Sequence, residues 1–168
     1  MTLSEVLTQQ LDREVPRSRK ALQQVPDDRS DWKPHDRSMA FGYLAFMVAT
    51  IPSWLARMIL DDSLDLAPKD GKKTEVPSFR TASEYLAALD KADAEMRAAL
   101  SKASDDHLKT NWQLLVAGNV VQQASRFEML TDTIAHWVHH RGQMTVYLRL
   151  MGATVPALYG PSADDKRF

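Results

Sequence analysis

The chain has 168 residues, 44% hydrophobic and 26% charged, the balance of one soluble globular domain over 1–168 rather than of a disordered or fibrous chain. A formal net charge of −1 gives no bulk attraction for nucleic acid or an anionic membrane, and the basic spots, Lys72-Lys73 and Arg17 to Lys20, are short and interrupted, as on a solvated surface. The absence of cysteine excludes disulfides, thiolate metal ligands and a cysteine nucleophile; with no basic-then-apolar start of the signal-peptide kind, a cytoplasmic location is expected.

The first helix is expected over 3–25. Leu3, Val6, Leu7, Leu11, Val15, Leu22 and Val25 recur at a spacing of three to four residues, one face of a helix. Pro16 falls inside and predicts a kink or break near Arg13, and Pro26-Asp27-Asp28 ends the pattern. In the connector that follows, Pro34 disfavours helix at Lys33. Ser38 is then a candidate cap for a second helix over 38–60, in which Pro52 predicts another kink. Between Arg37 and Arg57 nineteen residues carry no charge, close to the length that spans a bilayer. Gly42, Thr50, Pro52 and Ser53 interrupt that run and no second one exists, so a buried bundle helix is expected and no membrane span.

Residues 61–78 are polar and hold Pro68, Gly71 and Pro77, the composition of a long surface loop. Thr81 and Glu84 form a capping box for a third helix over 81–103, with Tyr85, Leu86, Leu89, Met96 and Leu100 on its apolar face. Residues 110–123 read as two short extended pieces around Ala117-Gly118-Asn119. A second capping box, Ser125 and Glu128, opens a fourth helix over 126–151, which Gly152 stops; 152–168 is an irregular tail. These elements predict an all-α fold, an antiparallel four-helix bundle with a short hairpin excursion before the last long helix.

The fourth helix carries the candidate site. Three of the five histidines lie within five positions, His136, His139 and His140. His136 and His140 are four apart and project from one face, so two imidazoles separated by one turn, roughly 5–6 Å of rise, can share a metal ion. Asp132 is four residues earlier on the same face. Its distance from His140, roughly 12 Å of rise, is too long for all three to ligate one ion, and it reads better as an acceptor that orients His136. A zinc-protease helix places a glutamate beside the first histidine; here that position is Trp137, which cannot accept a proton. His139, His35 and His107 read as structural or exposed. Arg141 is expected to pair with a carboxylate across the bundle, Asp164 or Asp165 of the tail, tying the tail down.

Three stretches carry a resemblance to a known family. Trp32-Lys33-Pro34-His35 with Ser38-Met39, the His136-to-Gln143 segment with His140-Arg141-Gly142, and Leu158-Tyr159-Gly160-Pro161-Ser162 together resemble the DinB/YfiT-like superfamily of bacterial helical-bundle proteins. The resemblance covers nearly the whole chain. It implies an up-down-down-up four-helix bundle with a divalent metal, nickel or zinc, held by three histidines. Two of these match His136 and His140; the third, from the second helix, falls on Met47, whose thioether is a weak donor for either metal. The resemblance also implies chemistry of the metal-dependent thiol-transferase kind, with a low-molecular-weight thiol held on the metal as thiolate, or a hydrolase-like reaction. With Met47 in place of the third ligand, the alternative is a metal-free, non-catalytic bundle that acts as a scaffold or ligand-binding stress protein, as a homodimer. An unidentified small molecule is the expected partner under either reading, and nucleic acid is not.

Overall fold

The structure is a computed structural model that describes residues 1–69 and 77–167. Gly71 and the Lys72-Lys73 pair lie outside the described residues. Four long helices dominate: α1 (Leu3–Leu22), α2 (Phe41–Leu60), α3 (Ala82–Leu100) and α5 (Arg126–Leu150). Each of α1 and α2 packs against both α3 and α5. Between them run β1 (Ser63–Asp65), the single-turn α4 (Asp105–Leu108), β2 (Asn111–Val116) and β3 (Asn119–Ser125).

The all-α expectation is corrected by a small mixed sheet of order β1-β2-β3, in which β1 runs parallel to β2 and β3 antiparallel to it. The predicted extended pieces are β2 and β3. Their turn residues Ala117 and Gly118 have φ of 52° and 80°, the left-handed pair that a two-residue hairpin of type I′ requires. The unforeseen strand is β1, inside the expected 61–78 loop. Its three residues show no alternation of their own and are held by distant groups. The Asp65 carboxylate accepts from the N–H groups of Ala117 (3.0 Å) and Gly118 (2.7 Å), stitching β1 to the hairpin turn. The buried Arg126 donates to the Asp61 carbonyl (3.1 Å), the Asp62 carboxylate (2.7 Å) and the Asn111 carbonyl (2.8 Å), clamping the start of β1 to the start of β2.

The helix starts follow local chemistry. Thr81 and Ser125 each form a capping box with the glutamate three residues on, as the sequence indicates, and Thr2 with Glu5 forms a third. The helix ends fall short of the expected 25 and 103. Past Leu22 and past Leu100 the backbone tightens into i→i−3 bonds, such as Val25 N–H to the Leu22 carbonyl (3.2 Å) and Ala103 N–H to the Leu100 carbonyl (3.1 Å). The second helix begins at Phe41 rather than at residue 38. Its N-cap is Ala40, without a side-chain bond; the first N–H groups go instead to the connector, Phe41 to the Trp32 carbonyl (2.9 Å) and Gly42 to the Ser30 carbonyl (2.8 Å). A Cβ on Gly42 would stand 2.7 Å from the Ser30 Cβ, so the close approach requires glycine.

Pro16 does not end α1 at Arg13; the helix continues through it to Leu22. Pro52 is likewise carried inside α2. Proline has no N–H, so the carbonyl four residues earlier, that of Val48, receives no helical donor from position 52. The indole N–H of Trp137 supplies one, at 2.7 Å, in the buried α2–α5 seam. A local break in one helix is thus repaired by a side chain of another, which fixes the register of α5 on α2. By length and composition α2 is apolar enough to cross a membrane. Twelve of its 20 residues are buried against the other elements, which is how a core helix sits.

Beyond α5 the tail is pinned. Gly152, at φ 76°, turns the chain. Arg149 holds Asp164 (2.7 Å), and Asp164 also accepts from Val155 N–H (2.8 Å). Arg141 was expected to pair with Asp164 or Asp165, and its partner is Glu14 of α1 instead. The fully buried Arg141 guanidinium donates to the Glu14 carboxylate, to the Glu14 carbonyl (3.0 Å) and to Ser18 Oγ (3.0 Å). Tyr159 of the tail donates to the same carboxylate at 2.8 Å, with the Arg17 guanidinium 4.2 Å from its ring centroid. Burial raises the Glu14 carboxyl, but hydrogen bonds from Arg141, Tyr159 and Arg17, together with the Arg141 charge, outweigh it and hold the group below its ordinary value. The carboxylate was thus to be found across the bundle, but on α1.

Candidate functional site

The buried face of α5 runs Arg126, Met129/Leu130, Thr133/Ile134, Trp137, His140/Arg141, Met144 and Leu148, at the helical period. His140 belongs to this face and is buried, whereas His136 and His139 lie outside it and are exposed. The His136 and His140 rings are 4.4 Å apart at centroids and tilted by 48°, so the structure brings the two predicted side chains together. His139 stands off, 5.6 Å from His140.

His140 Nδ1 lies 3.0 Å from Gln143 Oε1. A carbonyl oxygen only accepts, so Nδ1 is the donor in this contact. Gln143 therefore orients the His140 ring from within the same motif. His136 has its ionisation pushed below the ordinary 6.5, first by burial of part of the ring and then by repulsion from His140 and His139. The shift favours the uncharged ring, which can accept a hydrogen bond.

The donor set does not complete a three-histidine metal centre. Met47, at the position where the resemblance places the third ligand, is a buried member of the core on α2. No group of three His, Cys, Asp or Glu side chains converges as a metal site among the described residues. Asp132 is exposed and makes no hydrogen bond to His136, so the orienting role expected for it is not seen. His107 is structural: its Nε2 lies 2.7 Å from the Ile59 carbonyl, joining α4 to the end of α2. His35 Nδ1 accepts from the Arg37 N–H in the exposed connector.

What sequence reasoning missed is a pocket of about 400 Å³ beside His136. Its apolar wall comes from Trp54 and Met58 of α2, Leu64 of β1, Trp112 and Leu114 of β2 and Met129 of α5. Its polar side is Gln122 of β3 with Asp132, Thr133 and His136 of α5. Trp112 is fully buried, yet its indole N–H has no hydrogen-bond partner. The periodicity of α5 does put Asp132, Thr133 and His136 on neighbouring positions, but the facing wall is built by β1, which the sequence does not announce. A larger hollow of about 630 Å³ at the N-terminus of α1, bordered by Glu5, Thr8, Arg97 and Ser101, holds no aromatic or histidine side chain and reads as a polar surface groove.

The chain is predominantly helical, with a small sheet closing one side and a histidine pair on its last helix. Comparison with known proteins gives its family. The DinB family model matches residues 2–167, and the chain belongs to the DinB family. A DinB-like protein from Bacillus cereus ATCC 10987 superposes with a TM-score of 0.70 at 26% identity, over 92% of this chain and 97% of that one. The DinB-like protein YjoA of Bacillus subtilis gives 0.66 at 18% identity, over 96% and 99%, a likeness of fold alone. The Bacillus subtilis (strain 168) protein YrdA is 42% identical over 69 residues, which span 39% of this chain and 41% of that protein.

Proposed function

We propose that this DinB-family chain is a small-molecule-binding protein whose ligand occupies the pocket beside His136, and that His136 and His140 are the two-donor remainder of a divalent metal centre. The observation that carries this reading is the pocket: about 400 Å³, with an apolar wall that includes two tryptophans and polar groups gathered on one side, the usual make-up of a small-molecule site. His136, whose surroundings disfavour its charged form, adds an acceptor at its edge. We read the four long helices as an antiparallel up-down-down-up bundle, supported by the packing of α1 and α2 each between α3 and α5.

The thiol-transfer chemistry that the resemblance implies would need a metal to hold the thiol, and the donors present stop at two imidazoles. The function proposed is therefore binding, and a catalytic step is not assigned.

The neutral fluorophore N-phenyl-1-naphthylamine tests the reading. It is expected to bind saturably at one per chain with enhanced emission. Leu114→Trp, which fills the pocket, is expected to lower the affinity by about tenfold or more, equivalent to about 1.4 kcal/mol of lost contact, with the circular dichroism spectrum unchanged. Equal binding by a folded Leu114→Trp variant would place the fluorophore elsewhere and refute the assignment.

A further inference from the structure

The chemistry of the pocket limits what it can hold. Among the described residues that line it, the one formal charge is the carboxylate of Asp132; no lysine or arginine is present. Asp132 makes no salt bridge within the chain among the described residues, and its side chain is exposed at the pocket edge. Trp54, half-buried, lines the same pocket, and tryptophan is the residue type whose ring face attracts cations best. Among the described lining residues, an anionic ligand would meet one like charge and no counter-charge, whereas a cation would meet the Asp132 carboxylate and the Trp54 indole.

From this, and resting on the reading of the pocket as a ligand site, we infer that the ligand is a small monocationic amphiphile, with an aromatic or aliphatic body against the apolar lining and an ammonium group on Asp132. The polar side of the pocket provides further acceptors for the ammonium hydrogens in Gln122, Thr133 and His136. The apolar lining offers no second ion pair among the described residues, so Asp132 sets where the charged end of the ligand sits.

Three probes with one body separate charge from shape: 2-naphthylmethylamine, 2-naphthylmethanol and 2-naphthoate, titrated calorimetrically at neutral pH. The ammonium is expected to bind about threefold to tenfold tighter than the alcohol, the range for an exposed ion pair aided by a cation–π contact. The carboxylate is expected to bind weakest. Asp132→Asn is expected to remove the ammonium preference and leave the alcohol affinity in place, and added salt to narrow the same gap. Alcohol binding with no ammonium preference, or a preference that survives Asp132→Asn, overturns the cation assignment and leaves the pocket reading standing. No binding by any of the three, together with none by N-phenyl-1-naphthylamine, overturns both.

Discussion

At the scale of single residues, the site is decided by which side chains are neutral and which are absent. Partial burial and two neighbouring imidazoles disfavour the charged form of His136, and His140 Nδ1 donates to Gln143 Oε1. The two rings stand together, and what is missing among the described residues is a third donor. Met47 fills that position with a flexible, polarisable side chain suited to packing. Met47→His is expected to raise nickel or zinc affinity by about tenfold or more, because an imidazole is a far better donor for these metals than a thioether. Calorimetric titration of the purified parent and variant with each metal measures it. An unchanged affinity would show that position 47 does not face the histidine pair. The histidine pair itself was legible in the sequence because an i, i+4 spacing maps directly onto one helix face. The pocket beside it was not, because its far wall is made by residues 22 to 82 positions away.

At the scale of elements, local signals predicted starts better than ends. The capping boxes at Thr81 and Ser125 are complete within four residues, and both helices start there. The predicted ends ran a few residues long, where apolar residues such as Val25 continue to pack after the α-helical bonding has given way to tighter turns. The prolines show the limit of local reasoning most clearly. Each lies in a helix that carries on through it, and for Pro52 the reason is a group on another element: the Trp137 indole bonds the carbonyl that the proline leaves free. The same residue was noted in the sequence only for what it is not, a protease glutamate. Trp137→Phe keeps most of the ring volume and removes the donor. It is expected to cost about 1–3 kcal/mol in a urea unfolding experiment, the penalty for leaving a buried carbonyl unsatisfied. A loss much below that range would mean that the carbonyl finds another donor.

At the scale of the whole molecule, the sequence conveys four helices and a hairpin, and the structure adds the closure. Asp65 and Arg126 hold β1 against β2, and this side sheet encloses the space between α2 and α5 that would otherwise be a shallow groove. On the opposite flank, the Glu14–Arg141–Tyr159 cluster anchors the tail on α1 and α5. His136 lines the pocket. The most direct test of that placement is a ¹H–¹⁵N correlation spectrum of the protein titrated with N-phenyl-1-naphthylamine, following the four indole N–H signals of Trp32, Trp54, Trp112 and Trp137. A ligand in this pocket is expected to shift Trp54 and Trp112 most, with Trp32 little moved. Shifts concentrated at Trp32, or none at Trp54 and Trp112 when the fluorophore is saturating, would contradict the account.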